Sequence, residues 1–147
     1  MRILVLNGPN INLLGVREPG VYGSDSYADL LALVQRTGEE QGVETEVFQS
    51  NHEGALVDAI QQAMGRVDGL VLNPGAYTHT SIALLDALRA VQLPAVEVHI
   101  SAVEQREAFR QVSYIRPACF LTITGEGIAG YARAIRELQA HILALRA

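Results

Sequence analysis

The stretch Gly69-Leu70-Val71-Leu72-Asn73-Pro74-Gly75-Ala76-Tyr77-Thr78-His79-Thr80-Ser81 decides the fold. It opens on a nearly continuous apolar run, the pattern of a parallel strand covered on both faces rather than the alternation of a strand with one wet face. The run then breaks into Asn, Pro and Gly, so polar groups collect at the carboxyl end of the strand. Similar runs rich in Val, Leu and Ile recur at Ile3 to Leu6, Thr45 to Phe48, Ala95 to Val98 and Cys119 to Ile123, and all five read as strands.

Between them the spacing is helical. Tyr27, Leu30, Leu31 and Val34 form one apolar stripe, Leu56, Ile60, Ala63 and Met64 a second, Leu84, Leu85, Leu88 and Val91 a third, and Ile128, Ala132, Ile135, Leu138 and Ile142 a fourth. Ser26 with Asp29 has capping-box spacing, as does Ser101 with Glu104 ahead of a shorter helical stretch. Gly42 and Pro94 supply breaks beyond two of the helices. Strand and helix alternate throughout, so right-handed crossovers predict an α/β, flavodoxin-like, doubly wound five-stranded parallel sheet with helices on both faces and strand order 2-1-3-4-5. Ligands of such sheets sit beyond the carboxyl ends of the strands, where strand order reverses.

Residues 1–147 fit one compact domain, with 49% hydrophobic residues and no composition shift that marks a linker. The net charge is -5 with both signs scattered, which disfavours nucleic acid as a partner. All 11 basic residues are arginine, so no lysine is present to form a Schiff base or to serve a Walker-type phosphate loop. The lone Cys119 lies in an apolar run and reads as a small buried hydrophobe. The short apolar start, Ile3 to Leu6, is too brief for a membrane span or a signal-peptide core, and the expected location is the cytoplasm, with no membrane partner.

Polar residues gather after three strands: Asn7-Gly8-Pro9-Asn10, then Asn73 to Ser81, then His99-Ile100-Ser101, with Glu97 still inside its strand. Singly, Asn10 reads as a turn residue, Ser81 as a helix cap and His99 as a core histidine; together they mark one rim. Glu97 and His99 stand two apart and share a strand face, where a carboxylate can orient the imidazole and favour its protonated form, as suits a general acid. The connector around 14–24, rich in Gly and Pro, predicts a lid without helix or strand, on which Arg17 could stabilise a phenolate at Tyr22. Gly125-Glu126-Gly127-Ile128-Ala129-Gly130 matches a dinucleotide-binding pattern, but it follows the last strand and reads better as a tight turn with close helix packing.

These motifs resemble the type II 3-dehydroquinate dehydratases. Met1 to Gly23 carries that family's N-G-P-N-x-N-x-L-G-x-R-E-P-x-x-Y-G pattern, Asn73 to Ser81 its N-x-G-x-x-T-H-T-S, and Glu97 to Arg110 its E-V-H-I-S followed by R-E-x-F-R; the terminal turn ending at Tyr131 also matches. The resemblance implies anti dehydration of 3-dehydroquinate to 3-dehydroshikimate through an enolate, without metal or organic cofactor. It implies that Tyr22, its phenolate stabilised by Arg17, removes the C2 proton, that Asn10 helps hold the enolate oxygen through a water, and that His99, oriented by Glu97, protonates the departing C1 hydroxyl. Asn73, Ser101 and the amides of Ile100 and Ser101 would take the carboxylate, and Arg110 and His79 the ring hydroxyls. Asp86 would reach in from a neighbouring subunit of a homododecamer built as four trimers. Independently of the resemblance, Asp86 falls off its helix's apolar stripe. Ala102 stands where many members carry asparagine. The same dehydration serves the shikimate pathway and quinate breakdown.

The rival reading is a flavodoxin-like binding or signalling module. A phosphate receiver wants acidic residues after strand one and a late lysine, whereas a flavin site wants a hydroxyl- and glycine-rich loop there. Strand one ends instead in Asn7-Gly8-Pro9-Asn10.

Overall fold

A computed structural model describes residues 1–16, 19–22 and 24–147, with Pro19 and Tyr22 given only their place in the backbone. Five strands, β1 (Arg2–Asn7), β2 (Glu44–Gln49), β3 (Gly69–Asn73), β4 (Ala95–His99) and β5 (Leu121–Thr124), form one parallel sheet in the order β2-β1-β3-β4-β5. The helices are α1 (Pro19–Tyr22), α2 (Tyr27–Gln41), α3 (Glu53–Ala63), α4 (Ile82–Val91) and α5 (Ala129–Leu145). The expected architecture and strand order both stand.

The apolar runs are continuous because alternate residues serve different layers. Ile3 and Val5 of β1, Val71 of β3 and Val96 and Val98 of β4 pack with Leu30, Val34, Ile135 and Leu138 of α2 and α5. Leu4, Leu6, Leu70 and Leu72 face the other way, against Leu56, Ile60, Leu84 and Leu88 of α3 and α4. Each fully buried aliphatic side chain contributes roughly 1.5–3 kcal/mol of transfer free energy. Continuing the same parity, Asn7 and Asn73 fall on the α5 side, while Glu97 and His99 fall on the α4 side.

Helix boundaries follow local chemistry. The Ser26/Asp29 capping box is complete, and Gly42 ends α2 at φ 67°. Ser81 caps α4 by accepting from the amide of Leu84 at 3.0 Å. Gln92 takes the left-handed position after α4 at φ 56°, two residues ahead of Pro94.

Several expectations are corrected. The connector around 14–24 contains the single-turn helix α1, begun by proline, whose fixed φ and missing N–H suit a first helical position. No capping box forms at Ser101. A 3₁₀ turn, Val103–Gln105, comes instead, and its cap is Ala102, which has no side-chain acceptor to offer. The fifth strand starts at Leu121, because a 3₁₀ turn at Arg116–Ala118 ends with the Cys119 N–H donating to the Arg116 carbonyl at 3.0 Å. Met64 lies past the end of α3 and is 62% exposed, and Leu31, at the margin of its stripe, is also exposed. The glycine-rich segment is a turn and a packing site: Gly125 and Gly127 have φ of 74° and 62°, and a Cβ on Gly130 would lie 3.2 Å from Val98.

Candidate active site

Strand order reverses between β1 and β3, and there the loops that leave these two strands cross. The Gly8 amide donates to the Asn73 carbonyl at 2.8 Å. The approach is so close that a Cβ on Gly8 would sit 2.1 Å from the Pro74 carbonyl oxygen, while Gly75, at φ 62°, passes against Pro9. At this crossing opens a cleft of roughly 180 Å³, lined by Pro9, Asn10 and Ile11 after β1, Asn73, Gly75, Ala76 and His79 after β3, and His99, Ile100, Ser101, Val103, Arg106 and Arg110 from β4 onward. None of these residues is acidic, in a chain of net charge -5. A larger open hollow of roughly 670 Å³ lies over β2 and α2, with Arg2, Glu44 and Glu46 on its rim, and brings together none of the strand-end polar groups.

His99 and Glu97 meet as their spacing implies. The imidazole Nε2 lies 2.6 Å from Glu97 Oε2, and both side chains are buried. Glu97 also accepts from Ser113 Oγ at 2.8 Å, from Thr122 Oγ1 at 3.1 Å, and from Arg116 through Nε at 3.0 Å and Nη2 at 3.3 Å. Burial by itself would raise the carboxyl pKa, but the hydrogen bonds from His99 and Arg116, the imidazole charge and the Ser113 bond outweigh it and hold the pKa at about 2. Glu97 is therefore an anion that orients the ring. With Nε2 committed to Glu97, Nδ1 is the nitrogen of His99 left for chemistry in the cleft.

His79 is fixed the other way round. Its Nδ1 bonds the Val112 carbonyl at 2.7 Å, leaving Nε2 as an acceptor. Burial lowers its pKa, and the charges of His99 and Arg110 act with burial against the Val112 bond. Arg110, at the end of a 3₁₀ turn (Ala108–Arg110), is held by Glu107 at 2.7 Å and lies over the Phe109 ring. Asn10 adopts φ 69°, and its backbone N–H donates to Asn51 Oδ1 at 3.1 Å.

Asn73 is 3% exposed and its amide orientation is fixed. Oδ1 accepts from the Gly75 amide at 3.2 Å, and Nδ2 donates to the hydroxyl of Tyr131, which donates in turn to Asn7 Oδ1 at 2.7 Å. One Nδ2 hydrogen of Asn73 remains. Ile100 and Ser101 reach the cleft wall as expected, but the chain beyond them forms a three-residue 3₁₀ turn, so a helix dipole does not assist an anion there. Asp86 is exposed on α4, outside the cleft. Arg17 and the side chain of Tyr22 lie outside the described residues.

Sequence reasoning missed Arg106 in the cleft, the Ser113, Thr122 and Arg116 donors behind Glu97, the Asn7/Tyr131 pair beneath Asn73, and Asn51 beside Asn10. Thr122 is the neighbour of Glu97 across β4 and β5, so its role was readable once the pairing was known. Ser113 arrives from irregular chain and Arg116 from a single 3₁₀ turn, and neither left a periodic trace. Cys119 is partly buried; burial and the Glu97 charge, against the opposing pull of Arg116, push its thiol up to about 12, which leaves it protonated. Among the described residues no group of three or more His, Cys, Asp or Glu is placed to hold a metal, and no helix is long and apolar enough to cross a membrane.

Comparison with known proteins points to one family over nearly the whole chain. The model of the family described as dehydroquinase class II matches residues 1–139. The chain is 53% identical over 142 residues to the 3-dehydroquinate dehydratase of Synechococcus sp. (strain CC9605), covering 97% of each chain. It is 52% identical over 141 residues to the catabolic 3-dehydroquinase of Verticillium alfalfae, covering 96% of this chain and 94% of that one. Among solved structures it is similar to the type II dehydroquinase of Butyrivibrio crossotus, with a TM-score of 0.93 and 48% identity, over 95% of this chain and 97% of that one.

Proposed function

The chain belongs to the class II dehydroquinase family, and on that premise we propose that it dehydrates 3-dehydroquinate to 3-dehydroshikimate by anti elimination through an enolate. The observation that carries the reading is the small cleft without acidic lining, in which Arg110, Arg106, one N–H of Asn73 and the imidazoles of His79 and His99 converge. Such a set suits a compact ring bearing hydroxyls and one carboxylate.

The roles divide by chemistry. Tyr22, with Arg17 stabilising its phenolate, takes the C2 proton; this pair rests on the sequence motif alone. Asn10 holds the enolate oxygen through a water. His99 then gives its Nδ1 proton to the departing C1 hydroxyl, which leaves as water while the enolate collapses to the conjugated enone. Asn73, Ser101 and the amides of Ile100 and Ser101 take the carboxylate. The Nε2 of His79 accepts from a ring hydroxyl, and Arg110 binds another. No metal or organic cofactor enters these steps.

Asp86 serves a neighbouring copy in a homododecamer of four trimers. Support for an interface comes from its exposure on α4 and from exposed apolar residues on α4 and beside Arg110, with Ile82 at 55% and Phe109 at 65%. Sedimentation at neutral pH should report a dodecamer, and a monomer with full activity would remove Asp86 from the site. The chain works in the cytoplasm, in either aromatic biosynthesis or quinate breakdown.

The test is to add 3-dehydroquinate and follow the ultraviolet absorbance of the enone, with a chelated sample alongside. In His99→Ala, exchange of the C2 proton should survive better than dehydration, because enolate formation precedes the step that needs the acid. Equal losses of exchange and dehydration would end this division of labour.

A further inference from the structure

Behind His99, Glu97 is 0% exposed and takes hydrogen bonds on both oxygens. Ser113 and Thr122 are neutral donors. Arg116 differs from both: it carries charge, it grips Oε1 through Nε and Oε2 through Nη2, and it reaches in from the surface, its own side chain 46% exposed. With His99 carrying the proton that its role as the acid requires, the buried carboxylate has two cationic neighbours, the imidazolium on one side and the guanidinium on the other.

One of those cations disappears during the acid step. When His99 releases its Nδ1 proton to the leaving hydroxyl, the imidazole becomes neutral and keeps only its Nε2–H on Glu97. A buried carboxylate left with no cation is costly, and breaking such a pair is strongly destabilising. We propose that Arg116 is a positioning residue for proton donation: it is the cation that stays with Glu97 after His99 has given its proton away, and its two-point grip keeps Oε2 aimed at the imidazole. Without it, Glu97 would hold the imidazole in its charged form and resist the transfer, and a carboxylate with a single donor on Oε1 would be freer to turn. The inference rests on the assignment of His99 as the acid, and it concerns the donation step alone.

The test compares Arg116→Met, Arg116→Lys and Arg116→Ala with the unaltered protein, using 3-dehydroquinate. Arg116→Met should slow enone formation by roughly tenfold with little change in KM, while deuterium exchange at C2 falls by less than about twofold. Arg116→Lys should recover part of the rate, and methylguanidinium in solution should restore part of it to Arg116→Ala, since the surface at this position is open. A readout independent of substrate is the Nε2–H proton resonance of His99, whose 2.6 Å bond to Glu97 should place it at low field and which should move and exchange faster in Arg116→Met. Equal falls in exchange and dehydration together with a lowered unfolding midpoint would reduce Arg116 to a structural tether and overturn the proposal. An unchanged rate with an unchanged resonance would overturn it as well. If the unaltered protein forms no enone, the proposed activity fails instead, and the resonance alone then decides whether Arg116 holds the pair.

Discussion

Tyr131 shows what a single buried hydroxyl can decide. It stands on the first turn of α5 with its ring fully buried, and its oxygen links Asn7 to Asn73. Burial drives the phenol well above its usual range, against the Asn73 hydrogen bond, so it remains a neutral donor and acceptor at any pH the fold survives. Tyr131→Phe keeps the packing but strands Asn7 Oδ1 and frees Asn73 Nδ2, and it should cost about 1–3 kcal/mol by chemical denaturation. It should also raise KM, because Asn73 loses the bond that aims its second N–H. An unchanged KM would mean that the Gly75 contact alone orients Asn73. The sequence pointed to Asn73 through its place at a strand end, yet left Tyr131 as the last residue of a turn motif. The link spans 58 positions and depends on both side chains facing the same layer.

At the level of elements, the site is a crossing of loops that tolerates almost no added volume. Asn10 and Asn73 ride on the segments that meet at Gly8, whose missing side chain lets the Pro74 carbonyl approach. Gly8→Ala should therefore push the loops after β1 and β3 apart, costing roughly 1–3 kcal/mol of stability as overpacking and lowering kcat/KM by more than that loss of folded protein explains. Activity close to that of the unaltered protein would show that the loops can separate without disturbing Asn10 and Asn73. The Ser26/Asp29 capping box was legible because its partners stand three residues apart on a regular helix. The matching pair at Ser101 and Glu104 was not predictive, because the Ser101 carbonyl is taken by the N–H groups of Val103 and Gly125, and the chain goes on into a 3₁₀ turn capped by Ala102.

For the molecule as a whole, Glu97 ties acid stability to the state of the site. Its folded pKa, about 2 against an ordinary 4.5, is depressed, so its contribution is fully present above about pH 4.5 and is lost as pH falls through about 2. The shift corresponds to a stabilisation on the order of 3 kcal/mol. Unfolding midpoints of the unaltered protein and of Glu97→Gln, measured across that range, should converge as the pH drops; a constant gap would place the stabilisation in shape rather than charge. By itself the sequence determined the layer architecture and the rim on which Asn10, Asn73, His79 and His99 gather, because hydrophobic period and strand-end composition are local properties that survive without knowledge of packing; the strand order was only a choice among doubly wound arrangements, and the pairing of β1 with both β2 and β3 decided it. The sequence also paired Glu97 with His99, since a spacing of two on a strand needs no tertiary information. Only the tertiary structure decided which nitrogen of His99 is left free, that Arg116, Ser113 and Thr122 converge on the one buried carboxylate, and that Tyr131 locks Asn73. Those contacts join residues 16 to 124 positions apart through irregular segments and opposing layers, and no periodic signal records which distant donor will arrive at a buried acceptor that must be satisfied.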